Sequence, residues 1–197
     1  MKTDLENKSP KPDSEKPETP FEILPYTDSE LRKTCNKIKF LDDDTRNIIE
    51  DMTKTMIALD GLGLAAPQVG INKRFFLFIS NPENIAGEKE VEIIVAINPQ
   101  ILERDGESII YEGCLSYPDY LAKVKRALKI KVRYHNLDMN KVEEEYFGLT
   151  ARIFQHELDH LDGILFIDRM EPDTLKHADE IDESEEKLNE KTTDANL

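Results

Sequence analysis

The sequence predicts an α+β domain of mostly antiparallel β-sheet packed around one central, metal-binding helix. Three observations lead there. Strand-like stretches fill the middle of the chain, a helical pattern follows them, and that helix contains the spacing H-E-x-x-H within QHELDHLDG, residues 155–163.

The 197 residues suit one domain with a sizeable core, and 39% hydrophobic with 34% charged residues fits a globular chain carrying polar extensions. Residues 1–20 hold four prolines, several charges and almost nothing apolar, the composition of a disordered tail. The folded domain is expected over residues 21–170. Residues 171–197 carry ten acids against three lysines and read as an acidic tail, partly helical through Leu188 or disordered.

Within the fold, a helix is expected from Asp28 or Ser29 through LRKTCNKI, behind a capping residue. A firmer helix spans about Asp44 to Leu59, where Ile48, Ile49, Met52, Met56 and Leu59 form one apolar face. GLGLAAPQVG then reads as a Gly-rich turn, and Arg74–Ser80 as a strand. EVEIIVAINP predicts a second strand ended by Asn98-Pro99. ESIIYE, residues 107–112, predicts a third, running into GCLSYPD. ALKIKVRYHN alternates Leu128, Ile130, Val132 and Tyr134 with polar residues, and KVEEEYFG is its hairpin partner across a turn at 136–140. The late helix is expected from about Leu149 to Leu161, stopped by Gly163, with ILFI a short strand after it.

Several classes are excluded or disfavoured by composition. No apolar run approaches the ~20 residues that span a bilayer, and the N-terminus has neither a signal-peptide core nor an Arg-rich transit composition, so a cytoplasmic location is expected. Two cysteines, Cys35 and Cys114, cannot build a disulfide framework. A formal charge of −15 argues against a nucleic-acid surface.

On a helix, residues four apart stand about 40° apart in rotation, so His156 and His160 present two imidazoles to one point. Glu157 beside them can take a proton from water that a metal polarises. The downstream candidates for a third ligand are weak, and spacing alone does not choose among those upstream. A metzincin-like histidine would fall at Phe166, and the glutamates available to a thermolysin-like arrangement, Glu180 and Glu183, lie in the acidic tail. Upstream, Cys114 follows Gly113 at a strand end, and a thiolate with two imidazoles makes an open site for Zn²⁺ or Fe²⁺. A lone cysteine is otherwise a small core residue, which is how Cys35 reads.

Three stretches in order, GLGLAAPQ (61–68), EGCLS (112–116) and QHELDH (155–160), make the chain resemble the peptide deformylases over roughly residues 21–170. The resemblance implies hydrolysis of the formyl group from nascent polypeptides that begin with formyl-methionine, with release of formate. It implies Cys114, His156 and His160 as ligands of one divalent ion, commonly Fe²⁺, with Zn²⁺ or Ni²⁺ as substitutes. Glu157 becomes the general base and acid. The Gln68 amide and the Leu115 N–H become the oxyanion donors, and Gly63 pairs with the substrate backbone. Chemistry agrees: a developing oxyanion needs preorganised donors near ~3 Å, and glycine lets a backbone approach closely. An apolar methionine pocket is expected from Leu62, Ile110 and Ile153.

The chain departs from the family pattern on the loop after CLS. Leu121 stands where bacterial members often carry arginine, and Arg126 lies in V-K-R rather than V-P-R, where it is expected to pair with Asp159 or Asp60. The acidic tail argues against docking on ribosomal RNA. Two other functions fit parts of the pattern: a different H-E-x-x-H peptidase or amidase, and an inactive metal-binding module.

Overall fold

The computed structural model describes residues 18–84 and 90–181, with nothing described of the Glu83 side chain. The Pro-rich stretch 1–17 and the acidic stretch 182–197 lie outside the described residues.

Among the described residues, eight strands form two antiparallel sheets and two α-helices accompany them. The strands are β1 (Gly63–Ala65), β2 (Phe75–Ile79), β3 (Ile93–Asp105), β4 (Ser108–Cys114), β5 (Tyr117–Arg126), β6 (Lys129–His135), β7 (Lys141–Phe147) and β8 (Lys176–His177). The helices are α1 (Asp43–Ala58) and α2 (Gly148–Leu161). One sheet has the order β1-β2-β3-β6-β7 and the other β4-β5-β8.

Packing explains the layers. All five residues of β2 are buried, because the strand is covered on both faces. Phe76 and Phe78 face α2, where Phe154 meets both rings edge-on at 4.9 and 5.5 Å. Phe75, Leu77 and Ile79 face Ile49, Met52 and Met56 of α1. The expected apolar face of α1 is therefore the face that packs, and Asp42 caps the helix by accepting from Thr45 N. Helix α2 is more unusual: twelve of its fourteen residues are buried, including Arg152, Gln155, His156, Glu157, Asp159 and His160. Its C-terminal turn needs Gly163, which has φ +75° and whose Cβ, if present, would lie 2.5 Å from the Arg32 carbonyl oxygen.

Five expectations about elements are corrected. The helix expected from residue 28 is one 3₁₀ turn, Ser29–Arg32. The chain then extends because Cys35 N donates to Leu161 O, Asn36 N to Asn72 Oδ1 and Ile38 N to Asn98 Oδ1. The Gly-rich turn is mostly ordered as strand β1 and a 3₁₀ turn, Ala66–Val69. Strand β3 runs through Asn98-Pro99, with a register shift between Ile97 and Gln100 that takes up the proline. ILFI is not a strand; Phe166–Asp168 form a 3₁₀ turn closed by Asp168 accepting from Leu165 N. After Met170, where a partly helical or disordered tail was expected, Lys176–His177 pair with Tyr120 and Leu121 as strand β8.

Because Phe154 joins helix and sheet at the centre of the larger core, Phe154→Ala is expected to cost about 3–5 kcal/mol. Denaturant unfolding of the variant, compared at equal slope, measures that loss.

Candidate metal centre and active site

Two elements far apart in sequence bring the donors together. Helix α2 presents His156 and His160 with ring centroids 5.0 Å apart. The β4–β5 hairpin, turning through Leu115-Ser116, delivers Cys114 beside a register irregularity between Glu112 and Cys114. The donor atoms of Cys114, His156 and His160 all lie within 4.8 Å of one another, and Cys114 Sγ is 3.3 Å from His160 Nε2. These donors fit a divalent cation. One thiolate and two imidazoles suit Zn²⁺, Fe²⁺ or Ni²⁺. Two buried polar atoms, Glu157 Oε2 and His160 Nδ1, have no hydrogen-bond partner among the described residues.

Around the donors runs a buried ionic network that sequence reading only touched. Glu112 accepts from His156 Nδ1 at 3.1 Å, from Arg126 Nε and Nη2 at 2.9 Å each, and from Arg152 Nη1 at 2.6 Å. The first bond fixes the His156 ring with Nε2 turned toward the other donors. Burial opposes the charge on Glu112, yet the Arg126 guanidinium and His156 hold its carboxyl far below the usual range. Arg126 also binds Asp159, which in turn accepts from Arg169 Nε at 2.6 Å and Nη2 at 2.8 Å. Of the two partners expected for Arg126, Asp159 is the one found. Glu112 and Arg152 received no role from the sequence, although Glu112 opens the EGCLS stretch.

The cleft above this floor has a volume of about 930 Å³ and is lined by Gly63, Gln68, Cys114, Leu115, His156 and Glu157, among others. Burial pushes the Glu157 carboxyl up to about 7, against the lowering effect of His156 and Arg126. Gln68 is oriented from both ends: its Oε1 accepts from Ala65 N at 2.8 Å, and its Nε2 donates to Ser116 Oγ at 3.3 Å while lying 3.6 Å from Cys114 Sγ. Gly63 is required sterically, since a Cβ there would lie 2.5 Å from Glu157 Oε1. Leu62 and Ile153 line the cleft as expected for an apolar pocket. Ile110 does not: it is buried at 5% exposure outside the cleft lining, and Tyr111, on the opposite pleat of β4, lines the cleft instead. Leu121 packs over Gly113 and stays off the cleft. Cys35 belongs to the core beside Leu161, and burial pushes its thiol up to about 11.

A helix bearing two imidazoles and a carboxyl, a cysteine sulfur beside them and an amide reaching the same floor fit a metal-dependent hydrolase. The polypeptide deformylase family model matches residues 20–176, and the chain belongs to the peptide deformylase family. A peptide deformylase of Thermotoga sp. strain RQ2 is 44% identical over 153 residues, covering 77% of this chain and 88% of that protein. The crystal structure of the Thermotoga maritima peptide deformylase superposes with a TM-score of 0.71 at 42% identity, covering 77% of this chain and 98% of its own. A peptide deformylase from Acinetobacter baumannii, solved bound to Met-Ala-Ser, superposes with a TM-score of 0.70 at 35% identity, covering 76% and 98%. The family is metal-dependent, and no helix among the described residues is long and apolar enough to cross a membrane.

Two outcomes follow from the burial pattern. Glu112→Ala leaves Arg126 and Arg152 buried without their shared counter-charge. It is expected to destabilise the fold by about 3–5 kcal/mol and to weaken metal binding about 10–100-fold, measured by thermal unfolding and by metal titration. In metal-free protein, a thiol reagent at pH 8 should modify half-buried Cys114 well before Cys35. Mass spectrometry of the labelled peptides checks the order.

Proposed function

We propose that this chain removes the formyl group from peptides that begin with N-formylmethionine, releasing formate and a free amino terminus. The observation that carries the reading is the convergence of Cys114, His156 and His160 beside a buried, unpartnered Glu157 oxygen on the floor of an open cleft. Cys114, His156 and His160 hold one divalent ion, Fe²⁺ first, with Zn²⁺ or Ni²⁺ able to replace it. Bound there, such an ion supplies Lewis acidity and makes water a stronger acid.

The residues of the chain divide the remaining work. Glu157 Oε2 takes the proton from the attacking water and later returns it to the departing amine nitrogen, so one carboxyl serves as base and then as acid. The C–N bond of the formamide breaks, and the formyl carbon leaves as formate. Gln68 Nε2 and the Leu115 N–H donate to the oxygen that gains charge; the Gln68 amide is already oriented by Ala65 and Ser116, so it needs no reorganisation at that moment. Gly63 leaves its strand edge open for the substrate backbone to pair as an added strand. Leu62 and Ile153 face the methionine side chain, which is flexible and apolar and fits irregular walls.

The substrate class is nascent peptide, and the work is placed in the cytoplasm, where chains starting with formyl-methionine emerge. Ribosome proximity follows from that substrate and calls for no nucleic-acid contact by this chain.

Anaerobically purified protein loaded with Fe²⁺ and given formyl-Met-Ala-Ser should release formate. Glu157→Ala should lower kcat by at least about 10²-fold with metal retained, and absence of formate from the unaltered protein sinks the reading. Cys114→Ser should lose most bound metal, read by elemental analysis. Gly63→Ala should lower kcat/KM, because its methyl must displace Glu157.

A further inference from the structure

The segment just before the 3₁₀ turn at Ser29 forms a strap along one wall of the cleft, and none of the three motif stretches accounts for it. Phe21 N donates to Thr55 Oγ1 at 3.2 Å, Leu24 N to Gln68 O at 2.8 Å, and Tyr26 N to Ser116 O at 2.7 Å. The strap thus joins α1, the Gln68 turn and the hairpin that carries Cys114. In an extended chain, N–H groups two residues apart point one way, and alternate side chains share a face. Phe21, Ile23 and Pro25 are such an alternate set, and all three line the cleft that holds Gly63, Cys114 and Glu157, together with the polar Thr19 and Glu22 of the same segment. Phe21 and Ile23, like the cleft residues Leu62 and Leu115, pack against the core that α1 forms with β2.

We propose that the Phe21–Ile23–Pro25 face is a specificity wall for the second and third residues of the formylated peptide, and that it selects apolar side chains there. The proposal rests on the deformylase reading above and extends it beyond methionine. The formamide must sit over the donors on the floor, so the rest of the peptide leaves along the walls. At about 930 Å³, the cleft has room for several residues rather than one side chain. Its strap wall is already fixed at three backbone points, so a side chain packing on it pays little ordering cost. Burying a leucine rather than an alanine side chain against such a wall strengthens binding without touching the reacting atoms, so the gain falls in KM.

The test compares formyl-Met-Ala-Ser with formyl-Met-Leu-Ser and formyl-Met-Ala-Leu. In the unaltered enzyme at least one leucine peptide is expected to show a kcat/KM about five- to tenfold higher, through KM. In Phe21→Ala and in Ile23→Ala that ratio should fall toward one. Calorimetric binding of the unformylated products Met-Ala-Ser, Met-Leu-Ser and Met-Ala-Leu should give the same ranking without turnover. A ratio of one in the unaltered enzyme overturns the proposal, as does a ratio that survives both substitutions. Formate release from formyl-Met-Ala-Ser is scored separately, so loss of the activity reading and loss of the wall are distinct results.

Discussion

Glu112 is the carboxylate on which the rest of the centre depends. A single buried carboxylate takes two arginines and the Nδ1 of one metal-ligand candidate, and it does so from the strand that also ends in Cys114. Its charge makes two buried guanidiniums tolerable, and its geometry turns His156 toward the other donors. The same residue therefore couples the position of strand β4 to that of helix α2. A slip of either element would break both the ionic network and the donor triangle.

Helix α2 tolerates its interior polarity only because the surrounding elements answer it group by group. Gln155 bonds the Ala127 backbone through both ends of its amide, Arg152 reaches Ser108 O and Val124 O, and Asp159 is held between Arg126 and Arg169. The buried side-chain atoms left without a hydrogen-bond partner concentrate where chemistry is expected: Glu157 Oε2 and His160 Nδ1 are two of the three such atoms among the described residues. A buried carboxyl oxygen left without a partner costs stability, so its position beside the sulfur and the two imidazoles marks a functional compromise. The cleft follows the same logic on its other side, where Gly63 gives up a side chain so that Glu157 has room.

Much of this was legible in the chain, and the failures share a cause. Helix α1 and the β6–β7 hairpin show their period directly, because each has one face in water and one in the core. The chain after Ser29 has helix-compatible residues, but three backbone bonds to distant partners draw it straight. Strand β5 is interrupted by Pro118 and by Asp119 at φ +66°, so its pattern was hidden. Short β8 exists only because β5 offers an edge. Ile110 looked equivalent to other apolar neighbours of the motif until the pleat of β4 turned Tyr111 to the cleft in its place.

By itself the sequence determined the donor types, the helical pairing of His156 with His160, and the three ordered motifs that mark the family. Those are local: residue chemistry and a period of 3.6 suffice for them. Only the tertiary structure decided which acid pairs with Arg126, that Glu112 ties two arginines to His156, and that the segment around Phe21–Tyr26 walls the cleft. Each of those depends on elements dozens of residues apart being packed to within a few ångströms. Such contacts are set by burial and hydrogen-bond satisfaction across the whole fold, and no local pattern encodes them.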